Sequence, residues 1–341
     1  MIREAISAAT AGESLSMPDA IELMREVMEG EATPAQLGSY LTALALKGET
    51  PEEIAGFATV MREKSLRVNT DGPAIDVVGT GGDGKGTFNI STAAAFVVAG
   101  AGLTVAKHGN RAASGTCGSA DVLEALGVSI ELPPDAVERC LREIGIGFMF
   151  APAYHPAMRY VAPVRREIGI RTVFNVLGPL TNPAGVPCQL LGVGYPEAVE
   201  KMAEALRLFG IHHAIIFHST DGMDELSLGS DSTGWEILDE AISPYVVRPR
   251  ELGLPHATPD DLRGGDPSAN AVTMRSILSG ATGPVRDAVV LNSAAALVAG
   301  DLAATLPEGI ELAAASIADG QALAKLDAMV ELTQELAQAN G

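Results

Sequence analysis

Apolar residues recur at helical spacing through the first 66 positions, and the segment reads as helices only. The runs are Ile21, Met24, Val27 and Met28, then Leu37, Tyr40, Leu41 and Leu44, then Ile54, Phe57 and Met61. Each run follows a capping signal: Ser16-Met-Pro-Asp19, Thr33-Pro-Ala-Gln36 and Thr50-Pro-Glu-Glu53. The hydroxyl can accept from free first-turn N–H groups, Pro at the first helical position lacks only a donor that would be unpaired anyway, and Gln36 or Glu53 completes a capping box. Gly30 and Gly48 supply stops. The polar stretch Arg67–Pro73 reads as a linker.

From Ala74 the pattern changes to strand and helix in alternation. Strands are predicted at 75–78, 103–106, 146–150, 189–193, 214–217 and 235–238. Helices are predicted at about 89–99, at 119–126 and from Pro133-Pro134 onward, with others between and after the later strands. An amphipathic stretch over 154–168 is expected to be helical and to pack against the N-terminal helices. This grammar predicts a small all-helical domain over 1–66, joined by part of 154–175. A large α/β domain over 74–341 follows, with a central, mostly parallel sheet flanked by helices.

Composition adds limits. A chain of 341 residues, 47% hydrophobic and 19% charged, has ample core material and excludes disorder. Its 23 basic and 43 acidic residues leave a net charge of −20, a field that repels nucleic-acid backbones and anionic membranes. An anionic small substrate then requires basic groups or a metal gathered at its site. Cys117, Cys140 and Cys188 form no CxxC pair, which fits a reducing cytoplasm rather than a disulfide framework or zinc site. No basic segment leads into an apolar run at the N-terminus, so no secretory signal is expected. The longest apolar run, Ala93–Ala106, is too short to span a bilayer.

Three loops carry the candidate chemistry. Val78-Gly-Thr-Gly-Gly-Asp-Gly-Lys-Gly-Thr-Phe-Asn-Ile-Ser-Thr92 follows a strand and opens a helix, aiming bare N–H groups at an anion. It contains the Rossmann spacing Gly79, Gly81, Gly84, but the second strand ends in Lys107-His108 with no acid for a ribose. It nearly matches a Walker A loop, but Gly86 replaces the magnesium-touching hydroxyl. A plain connecting turn is the bland alternative; Asp83, Asn89, Ser91 and Thr92 weigh against it. The second loop, Lys107-His-Gly-Asn-Arg-Ala-Ala-Ser-Gly-Thr-Cys-Gly-Ser119, adds Lys107 and Arg111, and two anion loops suggest a ligand with two separated phosphoryl groups. The third, Asp221-Gly-Met-Asp-Glu-Leu-Ser227, offers Asp224 and Glu225 as magnesium ligands, though alone it would read as an acidic cap. His212, His213 and His218 lack a carboxylate orienter and are expected to pack or face solvent, and Met24, Met28 and Met61 to lie in a core or dimer interface.

Six segments in register resemble the anthranilate phosphoribosyltransferase family of tryptophan biosynthesis: Gly79–Asp83, Phe88–Thr92, Lys107–Arg111, Gly118–Asp121, Phe174–Pro183 and Asp221–Glu225. The resemblance implies the fold shared by nucleoside phosphorylases and these transferases, a homodimer paired through the helical domains, and two magnesium ions per subunit. It implies 5-phosphoribosyl 1-diphosphate and anthranilate as substrates and the second step of tryptophan synthesis from chorismate. Asp83, Lys107 and Arg165 would be the catalytic residues. Gly79, Gly82, Asp83 and Thr87, with Asn89, Ile90, Ser91 and Thr92, would hold the diphosphate end. Lys107, His108, Gly109, Asn110, Arg111, Ala112, Ala113, Ser114 and Gly115, with Ser119, would hold the phosphoribosyl part. Gly79, Asn110 and Arg165 would meet anthranilate, with His108, Pro152 and His155 along its access path. Ser91 would reach one metal, and Asp224 and Glu225 the second. Gly115 stands where a second serine is common, so contact there would be through the main chain, and Cys117 is expected to be a small filler. A pyrimidine nucleoside phosphorylase fits Asp221–Glu225 and Asn175–Pro183 poorly, and a nucleic-acid-binding relative of the fold conflicts with the charge.

Overall fold

The computed structural model describes residues 1–112 and 116–340, the side chain of Asn340 excepted. Four helices open the chain: α1 (Ile2–Thr10), α2 (Met17–Glu29), α3 (Pro34–Lys47) and α4 (Pro51–Glu63). The hydroxyl of Ser16 accepts from Asp19 N, and Thr33 and Thr50 make full capping boxes with Gln36 and Glu53. Gly30 closes α2 at φ 80° and Gly48 ends α3 at φ 85°, conformations that glycine adopts without a Cβ penalty. α1 has no side-chain cap, and so its start carries no sequence signal.

Beyond the linker, β1 (Ala74–Gly79), α5 (Ile90–Gly100), β2 (Thr104–Gly109), α6 (Ser119–Ala125), α7 (Pro134–Ile144) and β3 (Ile146–Phe150) alternate as expected. The stretch 154–168 is not one helix. It breaks into α8 (Ala151–Tyr154), a 3₁₀ turn over Pro156–Tyr160 and α9 (Ala162–Ile168). Pro156 and Pro163 each open a new segment, because neither can donate into a preceding helix. The turn packs on α2 and α9 on α3, so the stretch does lie against the N-terminal helices. After α10 (Phe174–Leu180), β4 (Cys188–Gly192), α11 (Pro196–Leu208), β5 (His213–Ser219) and β6 (Ser232–Leu238) comes a strand missing from the sequence reading, β7 (Ala241–Val247). Helices α12 (Pro267–Leu278), α13 (Pro284–Ala299), α14 (Leu306–Ala318) and α15 (Gln321–Asn340) complete the chain.

The strands form one sheet in the order β3-β2-β1-β4-β5-β6-β7, with β1 to β5 parallel and the last two antiparallel. Alternation along the central strands feeds two cores. Leu190 and Ile215 join α5, α13 and α15 on one face, while Leu191 and Ile216 join α11 and the N-terminal helices on the other. Strand order reverses between β1 and β4, the position at which open α/β sheets place their ligand sites, outside the C-terminal ends of the strands.

Candidate active site

The loop after β1 owes its path to missing side chains. Gly81, Gly82, Gly84 and Gly86 all have positive φ, between 63° and 76°. A Cβ on Gly82 would collide with the Tyr195 hydroxyl from the loop after β4, and one on Gly79 would come within 2.5 Å of Asp224 Oδ2. The close approach brings the third loop onto the first: Gly81 N donates to Asp224 Oδ2 at 2.6 Å, and Ser91 N, in the first turn of α5, donates to Glu225 Oε1 at 2.9 Å. These contacts, with the Asn89 Nδ2–Cys117 O bond that ties in the second loop, gather the three loops at the C-terminal end of the sheet, where Asp224 and Glu225 are each only 9% exposed.

Electrostatics sharpen this arrangement. Burial, then the neighbouring charges of Glu225 and Asp83, push the Asp224 carboxyl well above its ordinary range. Burial lifts Glu225 to about 7 against the opposing pull of Ser91 and Lys107. Asp83 Oδ2 is buried with no hydrogen-bond partner among the described residues. Crowded, desolvated carboxylates with a spare oxygen are a hard donor set that fits magnesium. Among the described residues no group of three or more His, Cys, Asp or Glu forms a metal cage, so a cation here would complete its shell with substrate oxygens and water.

Lys107 is 4% exposed and donates to Val77 O beneath the crevice, where burial lowers its pKa and the charges of Asp76 and Glu225 oppose that shift. Asp76, fully buried in β1, accepts from His108 N and from Asn182 Nδ2 at 2.8 Å, and burial raises it to about 6. Sequence reasoning passed over both Asp76 and Asn182, although an acid inside the apolar run Ile75–Val78 was a legible signal. Arg111 offers less free charge than its loop position suggested. Its guanidinium is paired with Asp121 and Glu124, so it adds little unpaired positive charge to the loops.

The remaining expected residues fall as follows. Thr87 bridges to Arg263, Ile90 and Thr92 are buried, and Asn89 binds Cys117 O and Asn270. Asn110 O accepts from Ser119 Oγ at 3.2 Å, Gly109 packs against Ser119, and Ala112 N donates to Asp121. Ala113, Ser114 and Gly115 lie outside the described residues. Cys117 is half-buried and its thiol donates to Asn89 Oδ1, so it is more than a filler. Arg165, from α9, stands 5.3 Å over the Phe174 ring; its guanidinium has no hydrogen bond or ion pair to a described residue, and burial lowers its pKa. The rings of His108 and His155 lie 5.1 Å apart, each with a buried Nε2 that has no hydrogen-bond partner among the described residues, and desolvation drops them to about 3 and about 4. Both are neutral at physiological pH.

The other histidines need a correction. His212 meets Asp239 at 2.8 Å and Asp301 at 2.9 Å, and His213 meets Asp301 at 2.6 Å and Glu236 at 3.3 Å. Carboxylate orienters are present, supplied by β6, by the residue after it and by the turn after α13. His218 Nδ1 contacts Val193 O at 2.7 Å.

Comparison with known proteins agrees with this fold. Residues 3–65 match the model of the helical bundle domain of a glycosyl transferase family, and residues 71–323 match its a/b domain. The anthranilate phosphoribosyltransferases of Dehalococcoides mccartyi and Chloroflexus aurantiacus are each 56% identical, over 339 residues (99% of both chains) and 335 residues (98% of this chain, 99% of the relative) respectively. The Thermus thermophilus enzyme superposes with TM-score 0.91 at 46% identity, covering 97% of this chain and 99% of that one. The Saccharomyces cerevisiae enzyme in complex with PRPP and Mg does so with TM-score 0.90 at 28% identity, covering 98% of each. By sequence along nearly its whole length, and by a fold that brings the three loops together, the chain belongs to the anthranilate phosphoribosyltransferase family.

Proposed function

We propose that this protein transfers the phosphoribosyl group of 5-phospho-α-D-ribose 1-diphosphate to the amine of anthranilate, giving N-(5-phosphoribosyl)anthranilate and diphosphate. The observation that carries the reading is the contact of the glycine loop with the Asp224–Glu225 carboxylates, which puts amide donors and cation ligands in one crevice. In the reaction the anomeric C–O bond breaks as the C–N bond forms. The arylamine is neutral at physiological pH and its nitrogen sheds a proton once bonded, so no strong base is required. The hard part is departure of a highly charged diphosphate while the sugar becomes cationic.

The chain's own groups act on that barrier. The glycine-loop amides that do not hold Asp224 and Glu225, those of Gly82 and Asp83, receive the diphosphate, already oriented before the charge moves. Lys107, under the crevice, adds positive potential below the carboxylates. Arg165, half-buried and with no hydrogen bond or ion pair to a described residue, anchors the anthranilate carboxylate so that the amine faces the anomeric carbon. Neutral His108 and His155 line the access path without competing for that carboxylate. Ser91, Asp224 and Glu225 would hold two magnesium ions, which supply neutralising charge to the leaving diphosphate. The assembly in this reading is a cytoplasmic homodimer joined through the helical bundle. Among the described residues, no helix is long and apolar enough to cross a membrane.

The test is direct. Anthranilate fluorescence should fall when the protein, magnesium and phosphoribosyl diphosphate are combined, and hold steady when any one is omitted. Undiminished emission in the complete mixture, with product absent by mass spectrometry, refutes the assignment.

A further inference from the structure

A third segment, far along the chain, is built into the two anion loops. Residues 262–264 run antiparallel to 86–88: Phe88 N donates to Leu262 O at 2.8 Å, Gly264 N donates to Gly86 O at 2.9 Å, and Thr87 pairs with Arg263. Gly264 has little room for a side chain, since a Cβ would sit 3.0 Å from Thr87 O and 3.1 Å from Asn270 Nδ2. Asn270, in the first turns of α12, is 2% exposed. Its Oδ1 accepts from Gly265 N at 2.7 Å, and its Nδ2 donates to Asn89 Oδ1 at 2.9 Å. Asn89 in turn donates to Cys117 O at 3.1 Å and accepts from the Cys117 thiol, while Thr116 Oγ1 donates to Gly265 O at 3.1 Å.

Both ends of the Asn89 amide are thus engaged by protein. One side faces the end of the second anion loop and the other faces Asn270, so the side chain fastens loops together rather than reaching freely for ligand. Buried amides in such a chain have one low-energy orientation, because a flip sets like atoms against each other.

We propose that Asn270 is a positioning residue for phosphoribosyl diphosphate: acting through Asn89, it locks the glycine loop and the Thr116–Cys117 end of the second loop at a fixed separation. The proposal rests on the assigned transferase activity, but the latch itself is readable without substrate. Asn270→Asp separates the two functions of the side chain. It keeps the acceptor for Gly265 N and the shape of α12, and it sets a carboxylate oxygen against Asn89 Oδ1.

Amide exchange of the ligand-free protein gives the first readout. In Asn270→Asp, Phe88 N–H should exchange about tenfold faster while Gly265 N–H stays protected, the loss of one buried hydrogen bond spreading into its loop. Unchanged Phe88 protection overturns the latch. Steady-state kinetics give the second. Asn270→Asp and Asn270→Ala should each raise the KM for phosphoribosyl diphosphate about tenfold and leave that for anthranilate within about twofold. Adding Asn89→Ala should then cost little more, because the two residues act as one unit. A phosphoribosyl diphosphate KM that holds for the Asp variant, an equal rise in anthranilate KM, or fully additive effects would each contradict the role. Failure of the activity assignment shows instead as a wild-type protein that makes no product while its amide pattern responds as described.

Discussion

Single residues divide into those that carry charge and those that make room for it. Arg165 has no hydrogen bond or ion pair to a described residue, which leaves its charge available to a carboxylate in the proposed reaction. Arg165→Ala should raise the anthranilate KM by roughly 10- to 100-fold, the loss of a charge-assisted pair, and leave the phosphoribosyl diphosphate KM nearly unchanged. Steady-state kinetics with each substrate varied checks both. Gly79 makes room: an Ala methyl would come within 2.5 Å of Asp224 Oδ2, so Gly79→Ala should displace that carboxylate. The expected result is a magnesium requirement shifted upward about tenfold or more in an otherwise folded protein, read by titrating the metal at fixed substrate. Glycines, hydroxyls and acids in short motifs made much of this crevice legible in the sequence. Asp76 showed only as an acid in an apolar run, and Asn182 and Asn270 gave no signal of their roles, because the partners are 106 positions away for one bond and 181 for another. A buried polar residue shows in sequence only as an interruption, and its meaning comes from what the fold sets opposite it.

At the scale of elements, local signals held where the physics is local. Capping hydroxyls marked the starts of α2 to α4, and closing glycines the ends of α2 and α3, because each acts within one turn. Glu53 goes further than its capping box. It is 1% exposed, accepts from Leu15 N at 3.0 Å and Thr50 N at 2.9 Å, and pairs with Lys47 at 2.8 Å. Glu53→Ala strips two amides of their acceptor and Lys47 of its counter-charge, though its ammonium keeps Ser14 Oγ and Gly48 O, and should cost about 3–5 kcal/mol, whereas Thr50→Ala should cost about 1 kcal/mol. Denaturant unfolding of the two variants measures the difference, and equal small losses would mean that the buried pair adds nothing. Local reading failed at 154–168, where amphipathic spacing masked two prolines that restart the chain. It failed again at β7, which holds Pro244 and follows a tight turn at Asp239 (φ 53°) without the Asn-Gly or Asp-Gly signal of such turns.

Across the whole molecule, the alternation after Ala74 specified the class of sheet, while strand order and the histidine–carboxylate cluster depended on contacts made only in three dimensions. That cluster gives stability a pH dependence. Hydrogen bonds to Asp239 and Asp301 raise the His212 pKa above 6.5, since both ring nitrogens face carboxylate oxygens and only the imidazolium donates twice. A pKa higher in the folded than in the unfolded chain means stability fully present below pH 6.5 and lost as pH rises through the folded value. The thermal midpoint should therefore decline over that range, and His212→Gln should flatten the decline; an unaltered slope would place the dependence elsewhere.

Net charge of −20 frames the central claim: an acidic protein binds a multiply anionic sugar only where amides and divalent cations outweigh its own field. Isothermal calorimetry of phosphoribosyl diphosphate, run with magnesium and again with the metal chelated, tests it most directly. The account predicts saturable binding heat in the first titration and its loss in the second. Equal heat in both, or none in either, would contradict it.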